Sequence, residues 1–121
     1  MIISKEITDI LYKHGKKEAP LEACGYLAGK NNIVTKHYEM TNIDKSTDHY
    51  RLDPKEQFKV IKEARSENLE ILAVYHTHPE SPARPSAEDI KLAYDPNITY
   101  IIISLLKNKK DIKAFRITNG N

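Results

Sequence analysis

The sequence predicts an α/β fold: one domain over residues 1–121 with a mixed β-sheet flanked by helices. Three observations predict it. Segments of helical period alternate with short apolar runs rich in β-branched residues. No repeat or low-complexity linker divides them. The length of 121 residues suits one layered core and leaves no room for a second. Composition agrees, since 40% hydrophobic and 30% charged residues with four Gly and six Pro exclude a disordered or fibrous chain.

Ser4 reads as an N-cap. Ile7, Ile10 and Leu11 follow at helical spacing, and His14 and Gly15 supply a basic last turn and a stop, so the first helix is expected over roughly residues 5–14. After Lys16 to Pro20, the run Ala23 to Gly29 and the run Ile33 to Met40 flank Lys30-Asn31-Asn32, the pattern of a β-hairpin. Thr41 to Thr47 is a polar loop, and His49 to Leu52 is expected as a short strand. Asp53-Pro54 combines an N-cap with proline at the first helical position, and Phe58, Val60, Ile61 and Ala64 mark the apolar face of a helix ending near Asn68.

Ile71 to Tyr75 is a short, wholly apolar run, expected as a buried strand. Ser86 opens a short helix running to about Tyr94, Asp95-Pro96 ends it, and Ile98 to Leu106 is a second buried strand. The basic turn Lys107-Asn108-Lys109-Lys110 leads to a last strand, Ile112 to Ile117. That turn is read as solvated, with docking of an acidic protein surface as the other option. Two or three layers both fit this order of elements, and the pairing of the strands is left open.

Several function classes drop out. A formal charge of +2 is too small for a binder that neutralises many phosphates, so no nucleic acid is expected. The longest apolar stretch, Ile98 to Leu106, is half a membrane span and carries polar residues, and the first residues lack the apolar core of a signal peptide. With a single cysteine, Cys24, no internal disulfide forms. A cytoplasmic location without a membrane partner is therefore expected.

Chemistry concentrates after the Ile71 to Tyr75 strand. His76 and His78 lie two apart, and the strand period of two aims both imidazoles to one side. His-x-His alone is weak evidence, since five histidines in this length produce roughly 0.2 such pairs by chance. After seven intervening residues, Ser86-Ala87-Glu88-Asp89 reads as a capping box at a helix start. Pro79, Pro82 and Pro85 stiffen the connection between them. A helix start with Asp89 one turn in lets its carboxylate join His76 and His78 around Zn²⁺, leaving a fourth position for water, the pattern of a catalytic site. A structural zinc site would want four protein ligands. Such a site also needs a base, and Glu22, at the mouth of the Ala23 to Gly29 strand, is a candidate that position alone does not separate from Glu18.

Glu22 before Cys24-Gly25-Tyr26-Leu27-Ala28-Gly29, then His76-Thr77-His78-Pro79, a seven-residue gap, Ser86, two residues and Asp89 together resemble the motif of the JAMM (MPN+) zinc metalloproteases. Ser104 and the Glu-Ala-Cys-Gly surroundings are similar to the short prokaryotic branch. The resemblance runs from Leu21 to about Leu106. It implies an MPN-like fold related to that of cytidine deaminases. It implies that His76, His78 and Asp89 hold Zn²⁺, that Glu22 takes the proton of the bound water and passes it to the leaving amine, and that Ser86 donates a hydrogen bond to the oxyanion. Thr77 replaces the commoner Ser, with its side chain on the opposite strand face.

The implied activity is hydrolysis of the amide bond after the C-terminal Gly-Gly of a ubiquitin-like or sulfur-carrier protein. Only Ala93 to Asn97 join the motif helix to the next strand, so this is a core without the later insertion, and Thr41 to Leu52 is the one candidate flap. The oligomeric state stays open, a homodimer among the options. Against this stand a non-catalytic MPN scaffold, which is expected to lack ligands, and a nucleotide deaminase, whose His-x-Glu and Cys-x-x-Cys do not occur here. A Cys24 thiolate paired with a histidine is a third rival, but Cys24 reads as a small buried residue. His14, His37 and His49 read as ordinary surface or loop residues.

Overall fold

The computed structural model of the chain describes residues 1–108 and 111–117. Lys109 and Lys110 of the basic turn lie outside the described residues. In chain order the elements are helix α1 (Lys5–Glu18), strands β1 (Cys24–Lys30) and β2 (Ile33–Met40), helix α2 (Pro54–Ser66), strand β3 (Glu70–His78), helix α3 (Ala87–Lys91), strand β4 (Thr99–Ser104), a 3₁₀ turn (Leu106–Asn108) and strand β5 (Asp111–Phe115). No helix among the described residues is long and apolar enough to cross a membrane.

The five strands form one mixed sheet in the order β2-β1-β3-β4-β5. β3 pairs antiparallel with β1 and parallel with β4, which makes it the central strand and, among the described residues, a member of the one parallel pair in the sheet. The sheet is covered on both faces. Leu11 of α1 packs with Leu27, Ala73, Tyr75, Ile101 and Ile103 on one face, while Val60 and Ala64 of α2 pack with Tyr26, Tyr38, Val74 and Tyr100 on the other. Three layers result. Because side chains alternate along β3, Ala73 and Tyr75 face α1, and His76 and His78 share the other face with Val74.

Local chemistry sets the element ends. Ser4 Oγ accepts from Ile7 N at 3.2 Å and starts α1. The β1–β2 hairpin turns on Asn31 and Asn32, both with positive φ (52° and 63°), as a two-residue type I′ loop requires. Asp53 caps α2 by accepting from Lys55 N, with Pro54 at its first position.

Four expectations are corrected. α1 does not stop at Gly15 but runs to Glu18, because this glycine marks a close approach: a Cβ there would lie 2.7 Å from Thr77 Cγ2. Residues 49–52 are not a strand, and only Leu52 bridges, to Asn42. Phe58 is 71% exposed rather than part of the apolar face of α2. α3 ends at Lys91, three residues short of Tyr94.

Candidate metal centre

The C-terminal end of β3 carries the site. His76 Nε2 and His78 Nε2 lie 3.1 and 3.0 Å from the same oxygen, Asp89 Oδ2, and 3.1 Å from each other. Two imidazoles and a carboxylate thus converge on one point, as the spacing on the strand and the helix start suggests. Ligands of a tetrahedral ion with bonds of about 2.0 Å stand about 3.3 Å apart, so three mutual distances near 3 Å match the inner shell of a small divalent cation. His76, His78 and Asp89 form a group able to hold a metal ion.

Each of the three candidate ligands has its own surroundings. Asp89 sits at the third position of α3, where Ser86 Oγ accepts from Asp89 N and Asp89 Oδ2 accepts from Ser86 N, both at 3.0 Å. One oxygen, Asp89 Oδ2, therefore both closes the capping box and faces the two imidazoles. His78 Nδ1 lies 2.8 Å from the carbonyl oxygen of Pro82, an N–H donation that leaves Nε2 free to ligate. The proline-stiffened segment is itself tied down, since Ser104 Oγ donates to Ser81 O at 2.6 Å. His76 Nδ1, by contrast, is buried with no hydrogen-bond partner among the described residues, and the half-buried Tyr50 stacks on this ring at 4.5 Å between centroids and 23° between planes.

Electrostatics follow from the geometry. Burial works to raise the pKa of Asp89, but the hydrogen bonds to His76 and His78 outweigh it and hold the carboxyl well below its usual range. Burial lowers the pKa of His76. For His78 burial also works downwards, yet its bonds to Asp89 and the Pro82 carbonyl leave the pKa raised.

Glu22 is buried at 3% exposure rather than a solvated strand-end charge. The β1–β3 register pairs Cys24 with His76, and Thr77 N donates to Ala23 O, so one more step along the antiparallel strands sets Glu22 beside His78. Its Oε1 has no partner among the described residues. Burial pushes its pKa up to about 8, the charge of His78 opposing and that of Asp89 adding to the rise. Its backbone is pinned on both sides, because Glu22 N donates to Ser46 O at 2.8 Å and Glu22 O accepts from Asn42 Nδ2 at 3.1 Å. Glu18 ends α1 and is only partly buried, outside the histidine cluster, so the structure separates the two acids.

The remaining histidines and the cysteine fall outside this cluster. His14 is a correction: it is buried, with Nδ1 2.9 Å from Tyr75 Oη. His37 lies in β2 near Glu39, and His49 lies in the 41–52 loop between Asp44 and Asp48. Cys24 is fully buried and burial pushes its thiol up to about 12, which removes the thiolate a nucleophile would need. Sequence reasoning missed Asn42, Tyr50 and the Pro82 carbonyl as neighbours of the site, and it singled out Ser104 without its bond to Ser81 O. Only the prolines signalled that the 79–85 segment has a fixed shape. Beside Asp89 opens a cleft of about 410 Å³ walled by Tyr26, Tyr50, Val74, Ile98 and Tyr100.

A family model described as prokaryotic homologs of the JAB domain matches residues 4–118. The CysO-cysteine peptidase of Mycobacterium tuberculosis is 32% identical over 99% of this chain and 84% of its own length. A probable TtuB-protein conjugate cleaving protease of Thermus thermophilus is 40% identical, over 88% of this chain and 69% of its own. The solution structure of a Desulfitobacterium hafniense protein superposes with a TM-score of 0.90 at 38% identity, covering 98% of this chain and 86% of that one.

Proposed function

The chain belongs to the family of prokaryotic homologs of the JAB domain and is a peptidase-type hydrolase, and from that premise we propose its cofactor, its substrate and the work of its site residues. Residues 1–121 form one catalytic domain that uses Zn²⁺. Its substrate is a ubiquitin-like or sulfur-carrier protein, cut at the amide bond that follows a C-terminal Gly-Gly. The observation that carries this reading is the convergence of His76 Nε2 and His78 Nε2 on Asp89 Oδ2, with buried Glu22, whose Oε1 has no partner among the described residues, one strand over opposite His78.

His76, His78 and Asp89 would hold the ion, which when bound supplies Lewis acidity and a water of lowered pKa. Glu22 takes a proton from the attacking water and returns it to the leaving nitrogen, and a pKa pushed up to about 8 by burial brings it within reach of both transfers. Ser86 Oγ accepts from Asp89 N, which leaves its own proton to donate to the oxyanion. The C–N bond breaks, the acyl carbon keeps the oxygen of water as a carboxylate, and the nitrogen departs as an amine. The cleft beside Asp89 gives an extended tail room to lie, and glycines at its end let the backbone approach the ligands closely.

The names of the relatives support a small-protein substrate: one is a peptidase for CysO-cysteine, the other cleaves TtuB-protein conjugates. The test is metal analysis of the purified chain followed by mass spectrometry of ubiquitin-like proteins extended beyond Gly-Gly. The expected result is about one zinc per chain and cleavage after the second glycine that Glu22→Gln abolishes. Zinc-free protein whose cleavage ignores chelators would overturn the cofactor, and a Glu22→Gln variant as fast as its parent would overturn the base.

A further inference from the structure

The two histidines of the site are held differently. A metal-ligating histidine ordinarily donates its second ring N–H to an oxygen, which sets both tautomer and ring orientation. His78 does so, to Pro82 O at 2.8 Å. His76 does not: its Nδ1 is buried and unpartnered among the described residues, although the residue is only 2% exposed. The contact that faces this ring is the phenol of Tyr50, nearly parallel to it at 4.5 Å. Tyr50 is in turn held by its loop, whose neck is the Asn42–Leu52 bridge and whose His49 and Arg51 backbones bond Asn42 on either side of Tyr50.

Resting on the metal reading above, we infer that Tyr50 is the positioning residue of His76: its ring face does for His76 what the Pro82 carbonyl does for His78. A flat aromatic surface stops the imidazole from rotating about its outer bond and keeps Nε2 aimed at Asp89 Oδ2. Planarity carries the effect rather than the phenolic hydroxyl. The loop residues 41–52 then serve the site twice, through Ser46 O on the backbone of Glu22 and through Tyr50 on the ring of His76.

The test compares Tyr50→Phe, which keeps a flat ring, with Tyr50→Leu and Tyr50→Met, which keep bulk without one. Zinc affinity is measured by competition with a chromophoric chelator, and Co²⁺ spectra report the ligand geometry. Tyr50→Phe is expected within about twofold of the parent, and the Leu and Met variants are expected to bind zinc at least about tenfold more weakly, the usual effect of removing a group that orients a ligand. In the parent itself the ring protons of His76 are expected to shift upfield under the Tyr50 ring, a readout that needs no variant to fold. Equal zinc affinity in all four proteins, a Phe variant as weak as the Leu variant, or the absence of that shift overturns the inference. A parent that binds no zinc overturns the metal reading as well, which separates the two failures.

Discussion

Thr77 and Ala23 are joined by two hydrogen bonds: Thr77 N donates to Ala23 O at 3.0 Å, and Ala23 N donates back to Thr77 Oγ1 at 2.8 Å. The second of these lets a side chain extend the β1–β3 ladder past the end of β1, to the residue that follows Glu22. Thr77 lies between the two candidate ligand histidines but faces α1, so its hydroxyl holds the neighbour of the candidate base from the back of the sheet. Thr77→Val keeps the shape and removes the acceptor, leaving Ala23 N buried and unpaired. The expected cost is about 1–3 kcal/mol in urea unfolding, with slower hydrolysis at unchanged zinc affinity. Thr77→Ser keeps the bond and is expected to keep the rate. A Val variant with parental kcat would show that this bond does not position Glu22.

The methyl of the same threonine explains why α1 has a glycine in its interior. Gly15 costs α1 about 1 kcal/mol relative to alanine by helix propensity alone, yet a Cβ at this position would meet Thr77 Cγ2 at 2.7 Å. Gly15→Ala is therefore expected to destabilise by about 1–3 kcal/mol despite the better helix former, because the sheet and the helix must separate. Combined with Thr77→Ser the same substitution is expected to become neutral or stabilising. A double-mutant cycle measured by thermal unfolding reads this coupling directly, and additive effects would place the strain elsewhere.

What could be read from the sequence and what could not divide along this line. The candidate ligand triad is written in local spacings: a strand period of two aims His76 and His78 together, and a capping box delivers Asp89 one turn into α3. The elements themselves follow from apolar runs, Asn31-Asn32 and Asp53-Pro54. Gly15 misled because a glycine after a basic turn looks like a helix stop, and only the tertiary contact with Thr77 reveals its reason. His14 looked like a surface residue because its partner, Tyr75, is 61 positions away. The same long-range pairing hides Asn42, whose neighbours in sequence are those of any polar loop.

Asn42 uses both ends of its amide. Nδ2 donates to Glu22 O at 3.1 Å and His49 O at 3.0 Å, while Oδ1 accepts from Asp44 N at 3.2 Å and Arg51 N at 3.1 Å. Asn42→Asp keeps the accepting oxygen but turns two donations into contacts between oxygens. Hydrogen exchange at the Glu22, Ile43 and Arg51 amides is expected to speed up by about tenfold or more, while the core amides of β3 and β4 stay protected. Unchanged protection at Glu22 would mean that Ser46 O alone holds the backbone of the base.

Cys24 lies two residues beyond Glu22 without sharing its chemistry. Burial pushes its thiol up to about 12 from an ordinary 9.0, so the folded chain is expected to resist alkylation at pH 8, and Cys24→Ala to retain hydrolysis. The sign of the linked stability change follows. In the unfolded chain the thiol ionises first, so stability is full below about pH 9 and falls as pH rises towards 12. Measuring unfolding midpoints of parent and Cys24→Ala between pH 8 and 11 checks this, and parallel curves would reject it.

Ser86 raises the sharpest separation of roles, because the hydroxyl that caps α3 is also the one proposed to donate to the oxyanion. Its Oγ accepts from Asp89 N, so removing it threatens the helix start and the placement of Asp89 along with any donation to the oxyanion. Glycine is tolerated at an N-cap at a loss of only a few tenths of a kcal/mol, whereas alanine costs about 1 kcal/mol. Ser86→Gly and Ser86→Ala therefore differ in capping but lack the same donor. If the hydroxyl stabilises the oxyanion, both variants lose about 10²–10³ in kcat with zinc affinity near that of the parent. If its work is to hold Asp89, zinc affinity falls in both, more in the alanine variant, and kcat measured at saturating zinc recovers.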